Sequence, residues 1–153
     1  MSIEAKLAEM NLSLPPPSPK GGVYQSMLVI GDQALFSGHV PVLPDGSMLT
    51  GRVGEEVDLE AAQTAARQVG LCILATAKAT LGSLDRIRRV VKLLGMVNCT
   101  PDFGQHPQVI NGCSELFRDL WGEDLGVGVR SAVGMGSLPG NVTVEVEGAF
   151  LID

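Results

Sequence analysis

The spacing of apolar residues predicts three helices. In residues 57–81, apolar side chains recur at steps of three or four, which places them on one face of an amphipathic helix. Gly82 follows this segment as a candidate C-terminal cap. Residues 107–121 have the same spacing and are followed by Gly122, which is expected to end the second long helix. A shorter helix is predicted for residues 2–10, with Ser2 as its N-cap.

Runs of β-branched and other apolar residues, bounded by turn residues, predict the strands. These runs are 23–30, 34–40, 88–97, 127–135 and 141–152. The proline-rich residues 14–19 stop the first helix, so residues 1–20 are expected to precede a single domain formed by residues 21–153. The predicted class is α+β, with a mixed sheet and both long helices on one face. Self-association would cover the other face.

Composition and charge narrow the classes of function. The net charge is −6, and the only basic cluster is the run Arg86-Ile87-Arg88-Arg89, which weighs against a nucleic-acid partner. The three cysteines and two histidines show no spacing typical of a disulfide framework or a metal site. A reduced, cytoplasmic location is therefore predicted. Neither a signal peptide nor a membrane span is expected, because no long apolar run occurs.

Arg130 is the main candidate for chemistry on the predicted strand 127–135. Its same-side neighbours, Ala132 and Gly134, are small, which leaves space in front of the guanidinium group. A hairpin between the last two strands would bring Glu145 or Glu147 close to it. An arginine can hold a carboxylate by two hydrogen bonds, and a glutamate can orient a water molecule. The spacing alone favours the alternative interpretation, an Arg–Glu ion pair on the surface of the sheet that has no role in function.

Five short segments follow one another in a recognisable order. They are Ser37-Gly38-His39-Val40-Pro41-Val42, Asp102-Phe103, Val129-Arg130-Ser131-Ala132-Val133, Leu138-Pro139 and Val144-Glu145-Val146-Glu147. This set resembles the reactive intermediate (imine/enamine) deaminase family, also called Rid or YjgF-type and formerly "endoribonuclease L-PSP". The resemblance extends from about residue 24 to residue 152, which is nearly the whole chain.

The resemblance implies a chorismate-mutase-like fold and a homotrimer with clefts between its subunits. It also implies hydrolysis of 2-imino or 2-enamino acids to 2-oxo acids and ammonia, without a cofactor or a metal ion. Arg130 matches the residue that binds the substrate carboxylate, and Glu145 matches the residue that positions the attacking water. The resemblance assigns further cleft-lining, substrate-binding positions to Tyr24, Ser37, Gly38 and Asn111.

The chain departs from the family pattern in a longer N-terminal extension, in a longer loop at Gly122 to Gly128, and at two places in the motifs. Ala132 stands where many members have a cysteine, and the segment Gly22-Val23-Tyr24-Gln25 differs from the usual Gly-Pro-Tyr start. These departures indicate a divergent branch. They leave open a non-catalytic trimer that binds small carboxylates such as 2-oxo acids. An endoribonuclease is a third hypothesis, but the net charge of −6 weighs against it, and the two histidines, His39 and His106, are not predicted to form a catalytic pair.

Overall fold

A computed structural model describes residues 1–153, which form one five-stranded sheet and three α-helices. The strands are β1 (Met27–Ile30), β2 (Gln33–His39), β3 (Ile87–Asn98), β4 (Val129–Met135) and β5 (Val144–Ile152). The helices are α1 (Ile3–Glu9), α2 (Leu59–Leu81) and α3 (His106–Leu125). The strand order is β1-β2-β5-β3-β4, in which only β3 and β4 run parallel. The predicted α+β class with a mixed sheet is confirmed.

The long helices begin and end close to the predicted positions. The carboxylate of Asp58 caps α2 by accepting a hydrogen bond of 2.8 Å from the N–H of Ala61. Gly82 then ends the helix with a φ of +84°. The predicted stop of α3 at Gly122 is too early. Gly122 does leave the helical conformation, with a φ of 84° and a ψ of 173°, but one more turn follows it and reaches Leu125.

Both long helices pack on one face of the sheet and enclose the core. The ring of Phe150 on β5 lies 5.7 Å from Phe117 on α3 and 4.8 Å from Phe36 on β2, measured between ring centroids. The two helices approach each other so closely at Gly112 that a Cβ atom there would overlap the carbonyl oxygen of Gln63. The small side chains of α2 allow this approach, and bulky residues from the sheet and α3 fill the remaining space.

The N-terminal helix α1 packs against the same domain. Ile3 and Leu7 are buried, and the Lys6 ammonium group donates a hydrogen bond of 2.7 Å to the carbonyl of Leu120 on α3. The N–H of Ile3 also donates to the carboxylate of Asp85, at 2.8 Å. None of the three helices combines the length and the apolar character needed to cross a bilayer.

The face of the sheet opposite the long helices is uncovered and largely apolar. Leu28 and Leu35 are 48% and 39% exposed there, and Val129 and Val133 are 69% and 37% exposed. The pairing of strands places all four on one side of the sheet, because directly paired residues point the same way. This open face agrees with the predicted one-sided packing of helices.

The predicted hairpin between the last two strands is wrong. β3 lies between β4 and β5, so Arg130 pairs with Leu93, and Glu145 pairs with Met96 on the other side of β3. The connecting residues 136–143 cross the end of β3, where the side-chain amide of Asn98 donates hydrogen bonds to the carbonyl of Val142 and to Asn141. The predicted start of β5 at residue 141 lies within this connection, and the strand begins at residue 144. The first strand, β1, begins at residue 27 rather than at the predicted residue 23.

Candidate functional site

Helix α3 holds the guanidinium group of Arg130. One of its terminal nitrogens donates to the hydroxyl of Ser114 at 3.0 Å, and the other donates to the side-chain oxygen of Asn111 at 2.8 Å and to the carbonyl of Pro107 at 3.2 Å. All three acceptors are uncharged. The three ion pairs of the chain involve Arg86, Arg88 and Arg89, so Arg130 has no carboxylate partner. A half-buried cation that is held in place but not neutralised is suited to binding an anion.

The groove beside Arg130 is small. It encloses about 230 Å³. Asn111, Ser114 and Arg118 line it together with two carboxylates, Glu115 and Glu123, neither of which forms an ion pair with Arg130. Pockets that enclose a whole small-molecule ligand usually hold roughly 300–1,000 Å³. The groove therefore has room for one functional group, such as a carboxylate, rather than for a complete ligand.

Glu145 on β5 lies in a second and larger cavity. This cavity encloses about 680 Å³, and Tyr24, Ser37 and Gly38 also line it. The carboxylate of Glu145 forms no ion pair within the chain. Burial raises the pKa of Glu145 above its ordinary value, and the charge of Glu147 raises it further. A carboxylate with a raised pKa is a better proton acceptor than an exposed one.

Gly38 makes room for the Glu145 side chain. A Cβ atom at position 38 would lie 2.9 Å from the carboxyl carbon of Glu145 and 3.0 Å from one of its oxygens. The pairing of β2 with β5 is irregular between Phe36 and His39, and this irregularity contains Gly38. The backbone of β2 can therefore pass directly beside the carboxylate only because residue 38 has no side chain.

The hydroxyl groups of Ser37 and Tyr24 fix the backbone at the edge of this cavity. Ser37 donates a hydrogen bond of 2.5 Å to the carbonyl of Gln25. The Tyr24 hydroxyl accepts a hydrogen bond of 3.0 Å from the N–H of Gly21. The Ser37 bond therefore ties the segment before β1 to β2, whereas the Tyr24 bond lies within that segment.

The histidines do not form part of either group. His39 is buried between the carbonyl of Ser37, at 2.6 Å, and the hydroxyl of Thr76, at 2.8 Å. Burial lowers the pKa of His39, so the ring is neutral, and it packs within the core. His106 lies 3.5 Å from the thiol of Cys99, in a groove that neither Arg130 nor Glu145 lines. No group of three or more histidine, cysteine or acidic residues is arranged to hold a metal ion.

The structure divides the predicted site residues into two groups. Tyr24, Ser37, Gly38 and Glu145 share the larger cavity, and Arg130 and Asn111 share the groove along α3. The two groups lie on opposite sides of the sheet, because Arg130 points towards α3 and Glu145 points away from the helices. Sequence reasoning missed Ser114, although it lies three residues after Asn111 and therefore on the same helix face.

Comparisons with known proteins identify relatives along nearly the whole chain. Residues 4–143 match the family described as "YjgF/chorismate_mutase-like, putative endoribonuclease". Protein TCP17 of Trypanosoma cruzi is 36% identical over 145 residues, which are 95% of this chain and 91% of that protein. Among solved structures, Atu1372 of Agrobacterium tumefaciens, a protein of unknown function, is 40% identical with a TM-score of 0.90, over 99% of this chain and 94% of the other.

A more distant structural relative carries the Rid name. RidA of an Antarctic Psychrobacter species is 25% identical with a TM-score of 0.62, over 90% of this chain and 94% of the other. The resemblance inferred from the short motifs is thus confirmed by a whole-length match and by the shared fold. The chain belongs to the YjgF/chorismate-mutase-like family.

Proposed function

We propose that the protein hydrolyses reactive 2-imino and 2-enamino acids to 2-oxo acids and ammonia without a cofactor. One observation carries the proposal: the chain holds a guanidinium group without an anion and a carboxylate without a cation. Arg130 binds the substrate carboxylate in this scheme. Glu145 orients the water that attacks the imine carbon.

The chemistry uses groups that the chain supplies. Glu145 accepts a proton from water as the oxygen bonds to C2 of the imine, and the raised pKa favours this transfer near neutral pH. The same carboxyl group returns the proton to the nitrogen, which gives a carbon bearing one hydroxyl and one amino group. It then transfers the hydroxyl proton to the amino group as the C–N bond breaks, so that the C2 carbonyl forms and ammonia leaves. The products are one 2-oxo acid and one ammonia for each imine and water consumed.

The site requires two copies of the chain, because Arg130 and Glu145 lie on opposite sides of one sheet. We propose a homotrimer in which Glu145 of one copy faces Arg130 of the next. The exposed apolar residues of the open face supply a surface that such an assembly would bury. Three free thiols, at Cys72, Cys99 and Cys113, suit a reducing cytoplasm, where we place the reaction.

The direct test couples the purified protein to a pyridoxal-phosphate dehydratase and follows release of the 2-oxo acid. We expect Arg130→Ala to lower kcat/KM at least about 30-fold, since a desolvated charge pair contributes 2 kcal/mol or more. Glu145→Gln should lower kcat about 100-fold or more. Arg88→Ala and Glu60→Gln are matched controls at exposed residues that line neither cavity, and they should retain most activity. Wild-type rates in Arg130→Ala would exclude this mechanism.

A mixing experiment tests whether two copies share the site. Arg130→Ala and Glu145→Gln subunits are each inactive alone, but a mixed trimer contains some sites with both residues intact. In trimers assembled at random from equal amounts of the two variants, about a quarter of the sites take an intact Arg130 from one copy and an intact Glu145 from the next. The mixture should therefore regain about a quarter of the wild-type activity. If one chain contained the complete site, unfolding and refolding the two variants together would restore no activity.

A non-catalytic carboxylate-binding protein is the second candidate. It is favoured by Ala132, which replaces a cysteine found in many relatives, and by the internal hydrogen bonds of the Tyr24 and Ser37 hydroxyls. Calorimetry that shows Arg130-dependent binding of a 2-oxo acid, together with no turnover, would select it. Endoribonuclease activity is less well supported, because a net charge of −6 disfavours an RNA substrate.

A further inference from the structure

The wall of the cavity beside Glu145 is mostly apolar. Five of its lining residues are hydrophobic or proline side chains: Pro19, Val40, Val42, Met48 and Pro139. Glu145 is the only charged residue among those that line it. A cavity of about 680 Å³ also has far more space than an imine carbon and its water molecule require. The excess space lies against apolar atoms and next to the carboxylate proposed to act on the substrate.

A short hairpin forms one side of this wall. Val42 pairs with Met48 in antiparallel fashion, so their side chains lie on the same side of the hairpin. The N–H of Leu43 donates to the carbonyl of Ser47 at 2.8 Å, and Asp45 accepts hydrogen bonds from both the N–H and the hydroxyl of Ser47. These bonds are all internal to the hairpin, so its own residues hold the apolar wall in place.

A 2-imino acid has three groups at its reacting carbon, which are the carboxylate, the nitrogen and the side chain. The proposed reaction assigns the carboxylate to Arg130 of a second copy, and the reacting carbon to Glu145. The side chain is left facing the apolar wall. We propose that this wall is the side-chain subsite and that the protein prefers 2-imino acids with apolar side chains of about four carbons. This inference rests on the proposed function.

The lining of the subsite disfavours charged side chains. An acidic side chain would lose its hydration without gaining a cation, and Glu145 would repel it. An apolar side chain gains about fourfold in kcat/KM for each methylene that it buries, which corresponds to ~0.8 kcal/mol. Partial burial of the three extra carbons of a leucine-derived imine should therefore give about a tenfold advantage over the alanine-derived imine.

The test compares imines that differ only in the side chain. D-Amino-acid oxidase generates them in situ from D-alanine and D-leucine, and D-aspartate oxidase generates the acidic one from D-glutamate. The rate of 2-oxo acid release then gives kcat/KM for each. The variant Met48→Ser removes part of the apolar wall, and Met48→Leu is the matched control that retains an apolar side chain of similar size.

We expect the wild type to prefer the leucine-derived imine about tenfold over the alanine-derived one and to use the glutamate-derived one least. Met48→Ser should reduce the preference for the leucine-derived over the alanine-derived imine about fivefold, whereas Met48→Leu keeps the wild-type preference. Equal use of the alanine- and leucine-derived imines would overturn the subsite but not the proposed function. Hydrolysis of none of the three would overturn both.

Discussion

The contact between Gly38 and Glu145 can be tested by adding one methyl group. In Gly38→Ala the new Cβ would lie 2.9 Å from the carboxyl carbon of Glu145, whereas ordinary contacts begin at 3.4 Å. The carboxylate must therefore move by at least about 0.5 Å, from the difference between these two distances. A displacement of about 1 Å in a reacting group costs on the order of 100-fold in rate, so we expect kcat to fall about 10- to 100-fold.

The same substitution should have little effect on folding. The atoms that the methyl group meets belong to the end of a flexible side chain, so the free energy of unfolding should change by less than about 1 kcal/mol. Gly104→Ala is the matched control, because a Cβ atom there meets nothing within 4 Å. Steady-state kinetics and urea denaturation on both variants separate the two effects. A Gly38→Ala protein with wild-type kcat would refute the proposed role of the Glu145 position.

Three further perturbations address Arg130, the helix pair and the charge of Glu145. Asn111→Ala removes a hydrogen bond of 2.8 Å to Arg130, and KM should rise about tenfold with little change in kcat, because a hydrogen bond to a charged group contributes about 1.5 kcal/mol. Gly112→Ala should lower the free energy of unfolding by about 1–3 kcal/mol, since the methyl group meets the backbone of Gln63, and a denaturant titration would show it. Glu145→Gln should raise the denaturation midpoint at pH 7, because the raised pKa means that ionised Glu145 destabilises the folded state. That gain should disappear once the pH falls below the ordinary glutamate pKa of about 4.3, where both folded and unfolded Glu145 are protonated. A lower midpoint for Glu145→Gln at pH 7 would mean that a cation neutralises Glu145 in the assembled protein.

The helices could be predicted because their signals are local. The apolar periodicity of residues 57–81 and the cap at Asp58 lie within the segments that they define. The strand order could not be predicted in this way. β3 separates β4 from β5 through hydrogen bonds between segments far apart in the sequence, including those of Asn98 with residues 141 and 142. A single sequence contains no local signal for such a pairing.

The motifs nominate the candidate site residues, but they do not predict how these residues are arranged. Alternation along a strand separates Arg130 from its neighbours Val129 and Ser131. Alternation does not decide whether the side that contains Arg130 or the side that contains Val129 faces the helices, because both sides of the strand carry small or apolar residues. That choice depends on α3, whose carbonyl at Pro107 and side chains at Asn111 and Ser114 provide acceptors for the guanidinium group. A strand read in isolation gives no information about these acceptors.

The orientation of β4 is the strongest physical support for an assembly. This edge strand turns its arginine towards a helix and its valines outwards, and Val129 is 69% exposed. In an isolated chain the opposite orientation would bury more apolar surface and leave the charge in water. The observed orientation becomes favourable if a second copy covers the valines. Val129→Asp should then weaken the trimer in light scattering and lower activity in parallel, while an intact, active trimer of this variant would rule out burial of this face.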